Sequence, residues 1–212
     1  MEIKGKIISF LGDSITQGVG VSCEENRYPD RIGLKYGAKK INNYGISGSR
    51  IARQQEKKAP IDYLDFAERS TSIDKESDII VVFGGTNDFG HGDAPIGTFE
   101  DRTPDTFYGA CHVIMQNLIN DYPTAQKIIC TPLHRGSETN KCSRGITLRD
   151  FVNIIKEVAE YYSLPVCDLW SISGIQPSVP KIREMYCPDS LHPNDAGHEL
   201  FAERIANFIL AL

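Results

Sequence analysis

Four short segments of the chain carry residue types that together can break an acyl bond. The first, "GDS" at 12–14, lies near the start of the chain, and the last, "DSLHPN" at 189–194, lies near its end. Between them stand "GISGS" at 45–49 and "GGTND" at 84–88. Hydrolysis of an ester or amide needs a nucleophile, a base, a group that orients the base, and donors for the developing oxyanion. The four segments contain a candidate for each of these roles.

The candidates are assigned by side-chain chemistry. Ser14 can be the nucleophile, and His192 can be the base because imidazole, with an ordinary pKa of about 6.5, exchanges protons near neutral pH. Asp189 lies in the same turn as His192 and can accept a hydrogen bond from its second ring nitrogen. Gly48 can offer an unobstructed backbone N–H, and Asn87 can offer an uncharged amide donor, to the oxyanion.

Three further residues are candidates for supporting roles, two of them within these segments and one in a predicted loop. Asp13 and Asp88 follow Gly12 and Asn87, and we expect them to support the site. His134 is a candidate substrate-binding residue, although a solvated loop histidine is the preferred interpretation. Ser47 is not the expected nucleophile, because the nucleophile elbow of another hydrolase class needs a second glycine where this chain has serine.

The elements that must position these residues follow an alternating strand and helix pattern. Five apolar segments predict strands, and helical stretches separate them, which favours a doubly wound α/β fold with a parallel sheet. The segments are "KIISFLG" at 6–12, "KKINNYG" at 39–45, "DIIVVFGG" at 78–85, "KIICTP" at 127–132 and "LPVCDLW" at 164–170. The carboxyl ends of parallel strands lie at one edge of the sheet. The four segments that carry the candidate catalytic residues are therefore expected to lie close together there.

Several helix starts can be read from capping residues. Thr103 before Pro104 predicts an N-cap followed by a first-turn proline. Thr147 with Asp150 predicts a capping box, and the last helix is expected to begin at about Asp195. Three long polar segments are predicted loops over the site, at 90–102, 133–146 and 171–188.

The four segments, in this order, resemble the SGNH hydrolase or GDSL-type esterase superfamily. The resemblance implies a flavodoxin-like three-layer α/β/α sandwich with about five parallel strands. It also implies that Ser14, Asp189 and His192 form a catalytic triad, and that the oxyanion hole consists of the Ser14 and Gly48 N–H groups and the Asn87 side chain. It implies no metal and no organic cofactor. Each segment alone also fits a turn or a helix cap, so the interpretation depends on all four being present.

Composition narrows the class of protein. The 212 residues have ordinary apolar and charged content, with a formal net charge of -5, and they predict one domain over 1–212. Scattered basic residues argue against a nucleic-acid surface, and no segment reaches the ~20 apolar residues of a membrane span. The candidate catalytic residues and the family resemblance imply a small-molecule ester as the partner, and a homo-oligomer is compatible with the sequence.

The six cysteines are dispersed without a CxxC pair, which fits neither zinc-ribbon spacing nor a dense disulfide scaffold. We expect reduced thiols and a cytoplasmic protein. A bridge between Cys142 and Cys187 is the alternative if the protein is exported. A metal site at Asp189, His192 and His198 is disfavoured, because the expected metallophosphoesterase patterns are missing and His198 falls on the last helix.

The substrate is less constrained than the reaction. Polar overhanging loops favour a short acyl group on a hydrophilic carrier, such as an O-acetylated sugar. Apolar residues of 175–186 give the alternative of an acyl channel for a lysophospholipid or thioester, although packing under a long loop is preferred. Transfer of the acyl group to an acceptor other than water uses the same residues. A non-catalytic flavodoxin-like binding module is the remaining alternative.

Overall fold

The computed structural model describes residues 1–212, which form one parallel sheet covered by helices on both faces. The strand order is β2-β1-β3-β4-β5, and every neighbouring pair is parallel. The strands are β1 at Ile7–Gly12, β2 at Lys40–Gly45, β3 at Ile79–Phe83, β4 at Gln126–Cys130 and β5 at Val166–Cys167. Four of the strands lie inside the predicted segments, and β4 begins one residue earlier than predicted, at Gln126. The expected doubly wound α/β fold is therefore confirmed.

Nine α-helices connect and follow the strands. They are α1 at Ser14–Gln17, α2 at Tyr28–Tyr36, α3 at Phe66–Arg69, α4 at Thr86–His91, α5 at Phe107–Asp121, α6 at Leu148–Tyr161, α7 at Leu169–Ile172, α8 at Pro180–Tyr186 and α9 at Asp195–Ala211. Short 3₁₀ helices occur at Glu24–Asn26, Pro60–Tyr63 and Ser70–Ser72.

Two apolar cores lie on opposite faces of the sheet. Successive side chains of a strand point to opposite faces, so Ile80 and Val82 enter one core while Ile79 and Val81 enter the other. The first core is completed by α3, α5 and α6, and the second by α2 and α9. Because both faces are covered, β3 is buried along its whole length.

The predicted helix starts are confirmed in two places and wrong in one. The Asp150 carboxylate accepts the Thr147 backbone N–H at 2.8 Å, as a capping box requires, and α9 begins at Asp195. Helix α5, however, is capped by Thr106 rather than Thr103, because the Thr106 hydroxyl accepts the Gly109 N–H at 3.1 Å. Pro104 therefore belongs to the preceding turn.

The predicted loop at 171–188 is also corrected by the structure. Pro180 begins helix α8, so the second half of this segment is helical up to Tyr186. The segments 92–106 and 131–147 contain no strand or α-helix. The other two predicted loops are thus confirmed, except that residues 90–91 are the last residues of α4. All six cysteines are free thiols, and thus the alternative bridge between Cys142 and Cys187 is absent.

No helix of the structure combines the length and the apolar character needed to cross a bilayer.

Candidate active site

Ser14 is the first residue of α1, directly beyond the carboxyl end of β1. The Asp13 carboxylate caps this helix by accepting the Ile15 N–H at 3.0 Å. This cap directs the start of α1 away from the strand, and it leaves the Ser14 hydroxyl at the edge of the sheet. Ser14 is nevertheless only 4% exposed, since the surrounding segments close over it.

Asp189 and His192 lie in a tight turn between α8 and α9. One carboxylate oxygen of Asp189 accepts the backbone N–H groups of Leu191 and His192 at 2.8 and 2.6 Å. The other oxygen lies 2.7 Å from Nδ1 of the His192 ring. Burial alone would raise the pKa of Asp189, but the hydrogen bonds from His192 and Leu191 hold it below its ordinary value. The carboxylate thus stays charged and orients the imidazole.

The structure brings the two ends of the chain together at this point. His192 Nε2 lies 3.0 Å from Ser14 Oγ, across 178 positions of sequence. Because Nδ1 of His192 faces a charged carboxylate, the ring proton belongs on Nδ1, and Nε2 is the acceptor for the Ser14 hydroxyl. Ser14, His192 and Asp189 therefore form one continuous line of hydrogen bonds.

Two backbone N–H groups that the sequence predicts for the oxyanion hole have no hydrogen-bond acceptor within the protein. They belong to Ser14 itself and to Gly48, whereas the neighbouring Ser49 N–H is bonded to Ile46 O at 3.1 Å. Gly48 has a φ of +79°, in the left-handed region that favours glycine. The two N–H groups are therefore free to bind a negatively charged oxygen.

Asn87 is the third candidate donor and lies in the first turn of α4. Its amide nitrogen donates to Ser49 O at 3.0 Å, and its amide oxygen lies 3.2 Å from His91 Nε2. An amide nitrogen has two N–H groups, so one remains for a substrate. Asn87 is 5% exposed, and its orientation is thus set by these protein contacts.

The two supporting carboxyl groups, Asp13 and Asp88, are both buried. Asp88 accepts the backbone N–H groups of Ile51 and Ala52 at 2.8 and 3.0 Å, which ties the segment after Gly48 to α4. Burial raises the pKa of Asp88 to about 6. Burial also raises the pKa of Asp13 to about 7, and the Asp88 carboxylate adds to this increase.

The other histidines named from sequence make their hydrogen bonds to groups other than Ser14 and His192. His134 contacts the Glu138 carboxylate at 2.9 Å and packs on the Trp170 ring, with centroids 3.8 Å apart. The predicted solvated position is therefore wrong for His134, which is partly buried. His198 is fully buried in α9, and its Nδ1 accepts the Tyr28 N–H at 3.1 Å.

Sequence reasoning missed two arginines that attach the loop after β4 to α4. Arg135 donates to Thr86 O at 3.0 Å, and Arg144 donates to the carbonyl oxygens of Asp88 and Gly92. These contacts hold the loop against the helix that carries Asn87. Single arginines in loops have no spacing pattern, and thus no signal in the sequence could have found them.

A large polar cavity adjoins the Asp189 side of the site. Its volume is about 790 Å³, and Leu191 is the one hydrophobic residue among the twelve that line it. Arg135, Arg183 and Ser178 contribute polar groups to its wall. A hydrophilic molecule is therefore accommodated beside the His192 turn more readily than an alkyl chain.

Comparison with known proteins identifies the family of the chain and agrees with its fold. Residues 10–200 match the GDSL-like Lipase/Acylhydrolase family, and the chain belongs to that family. A solved crystal structure 32% identical to the chain has a TM-score of 0.89 and covers 100% of this chain and 99% of its own. A Lactobacillus plantarum protein, 29% identical, has a TM-score of 0.86 and covers 99% of each chain.

A protein assigned as a GDSL-like lipase from Bacteroides uniformis is 20% identical, with a TM-score of 0.73, and the match covers 98% of this chain and 97% of that one. At this identity the likeness shows the fold alone. No curated protein sequence matches the chain. Membership of the family and the three-layer fold support an ester hydrolase.

Proposed function

We propose that the protein is a serine-dependent carboxylic ester hydrolase in which Ser14 is the nucleophile. The observation that carries the proposal is the 3.0 Å contact between Ser14 Oγ and His192 Nε2. It is supported by the Asp189 carboxylate, which lies 2.7 Å from the other ring nitrogen and stabilises the imidazolium that forms during the reaction.

In the first half of the reaction, Ser14 Oγ attacks the ester carbonyl carbon while His192 Nε2 takes the hydroxyl proton. The carbonyl oxygen becomes an oxyanion, which the N–H groups of Ser14, Gly48 and Asn87 stabilise. The intermediate collapses with loss of the alcohol, whose oxygen receives the proton from His192. An acyl group then remains on Ser14.

In the second half, water attacks the acyl carbon while His192 takes one of its protons. The same N–H groups stabilise the second oxyanion. Collapse breaks the bond to Ser14 Oγ, which recovers its proton from His192, and the carboxylic acid leaves. Asp189 keeps the imidazole in one orientation throughout both halves, so that Nε2 faces the reacting atoms each time.

For the substrate we propose short acyl esters of hydrophilic alcohols, such as O-acetylated sugars. The polar cavity beside Asp189 supports a hydrophilic alcohol. The apolar residues suggested for a long acyl channel differ in exposure: Ile175 is 1% exposed in the core, while Val179 and Met185 are more than 40% exposed. This arrangement favours the short acyl group over a lysophospholipid or a long thioester.

The test compares Ser14→Ala with Ser47→Ala as the matched control. Ser47 is exposed in the neighbouring "GISGS" segment, so its hydroxyl is accessible but has no base. We expect Ser14→Ala to lose hydrolysis of p-nitrophenyl acetate and labelling by a fluorophosphonate, while Ser47→Ala keeps both. Retention of either activity by folded Ser14→Ala would refute the proposal. Absence of labelling in the folded wild type would favour the binding module.

A further inference from the structure

The side chain of Asn87 stands at the end of a line of hydrogen bonds that begins at Asp62. One Asp62 oxygen accepts the backbone N–H groups of Lys58 and Ala59 at 2.9 and 2.8 Å. The other oxygen accepts a guanidinium N–H of Arg50 at 2.6 Å. Asp62 and Arg50 are both mostly buried, with side chains 9% and 12% exposed. The guanidinium therefore has a fixed direction.

Arg50 in turn fixes the tautomer of His91. Two of its nitrogens, Nε and an Nη, lie 3.2 and 2.8 Å from His91 Nδ1. A guanidinium can only donate, so Nδ1 must be the unprotonated acceptor. The proton of the neutral ring then resides on Nε2. Partial burial and the Arg50 and Arg135 guanidinium groups lower the pKa of His91, which keeps the ring neutral.

The tautomer of His91 determines the orientation of the Asn87 amide. His91 Nε2 lies 3.2 Å from Asn87 Oδ1, and an N–H at that nitrogen makes the amide oxygen the acceptor. The amide nitrogen must then lie on the opposite side, where it donates to Ser49 O at 3.0 Å. Its second N–H is left for the oxyanion. With the amide reversed, an acceptor would face both Ser49 O and the oxyanion.

We propose that His91, held by Arg50 and Asp62, is a positioning residue that fixes the Asn87 amide with its N–H toward the reacting carbonyl oxygen. This inference rests on the proposed function. A residue at the end of α4, remote from the nucleophile in the chain, then affects the rate through Asn87. The Asn87 donor works mainly in the transition state, and thus its orientation affects kcat more than KM.

The first experiment replaces His91 in the full chain by Leu and by Gln. Leu removes both ring nitrogens, whereas Gln can still donate an N–H to the Asn87 oxygen. We expect His91→Leu to lower kcat for p-nitrophenyl acetate about tenfold with little change in KM, less than the 10²-fold loss typical of removing an oxyanion donor. His91→Gln should restore most of kcat. An unchanged kcat in His91→Leu, or no recovery with Gln, would overturn the inference.

A double-mutant comparison separates positioning from a general structural effect. In the Asn87→Ala background, His91→Leu should have no further effect on kcat, because the group that it orients is gone. A tenfold loss in that background as well would overturn the inference. If Ser14→Ala proves fully active, the proposed function fails; if only the His91 variants behave as wild type, this inference fails alone.

Substitution of Arg50 gives a second test of the inference, in which the residues of α4 are unchanged. Arg50→Met removes the donors that fix the His91 tautomer, and Arg53→Met is the matched control. Arg53 is three positions away, and its ion pairs with Asp65 and Asp105 are long, at 3.7 and 3.6 Å. We expect kcat to fall severalfold in Arg50→Met and to stay unchanged in Arg53→Met. Equal values of kcat in the two variants would contradict the inference.

Discussion

His192 and Asp189 share two hydrogen bonds, one from the His192 ring and one from its backbone N–H, at 2.7 and 2.6 Å. The Asp189 carboxylate therefore stabilises both the turn and the orientation of the His192 imidazole. The hydrogen bond with the ring determines which ring nitrogen carries the proton. The hydrogen bond with the backbone N–H fixes the position of the His192 main chain. A change at Asp189 can thus affect the rate through the ring while the turn persists.

We predict that Asp189→Asn lowers kcat for p-nitrophenyl acetate by about 10⁴-fold, because an amide N–H cannot accept a hydrogen bond from the Nδ1–H group and favours the wrong tautomer of His192. Steady-state kinetics measure the loss. Asp195→Asn is the control, since Asp195 begins α9 and bonds only to Ser22 on the surface. Comparable kinetics for Asp189→Asn and Asp195→Asn would contradict the assignment of the orienting group.

We predict that Gly48→Ala lowers both stability and kcat, whereas Gly5→Ala lowers stability alone. Both glycines have left-handed φ values, +79° and +74°, and neither would place a Cβ in close contact. Each substitution should cost about 1 kcal/mol through backbone strain. Only at Gly48 would a backbone shift redirect the N–H that binds the oxyanion. Urea unfolding and kcat measure the two effects, and equal kcat for both variants would argue against the Gly48 donor.

We expect the wild type to lose stability as pH rises, and we predict that Asp13→Asn abolishes this loss. The pKa of Asp13 in the folded chain is about 7, against an ordinary value of 3.8. The folded state thus holds this proton more tightly than the unfolded chain, and the free energy of unfolding falls between about pH 4 and pH 7. Asparagine has no proton to lose in this pH range and is also a good N-cap. The free energy of unfolding of Asp13→Asn should therefore lack this decrease.

Urea unfolding at pH 5 and pH 8 checks this prediction. At pH 8 the free energy of unfolding of Asp13→Asn should exceed that of the wild type by about 1 to 4 kcal/mol, with a smaller difference at pH 5. Asp78→Asn should behave in the opposite way, because the Ile7 N–H and Lys6 hold the pKa of Asp78 below its ordinary value. A uniform effect of Asp13→Asn at both pH values would be inconsistent with the raised pKa.

We predict that kcat/KM falls steadily along a series of p-nitrophenyl esters from acetyl to palmitoyl. The cavity beside Asp189 is lined mostly by polar residues. Among the apolar residues of 175–186, Ile175 is buried in the core, whereas Val179 and Met185 are exposed to solvent. Alkyl groups beyond the first carbons would remain in water and contribute little binding energy. A maximum at long chains would overturn the short-acyl proposal and favour the lysophospholipase or thioesterase alternative.

Much of the fold was predictable because it depends on local patterns. Apolar runs identified all five strands, and a threonine with an aspartate three positions later identified the start of α6. The start of α5 was not predictable in the same way. Thr103 and Thr106 are both capping residues, and the choice depends on where the preceding loop crosses α5, where Phe107 N–H bonds to Pro95 O at 2.8 Å.

The sequence by itself determined the parts of the candidate site, since Ser14, Gly48, Asn87, Asp189 and His192 each stand in a recognisable segment. Only the tertiary structure decided which N–H groups lack acceptors, which carboxyl groups are buried, and that Arg50 and His91 orient Asn87. The physical reason is that side-chain type is a local property, whereas burial, hydrogen-bond partners and protonation depend on atoms contributed by distant parts of the chain.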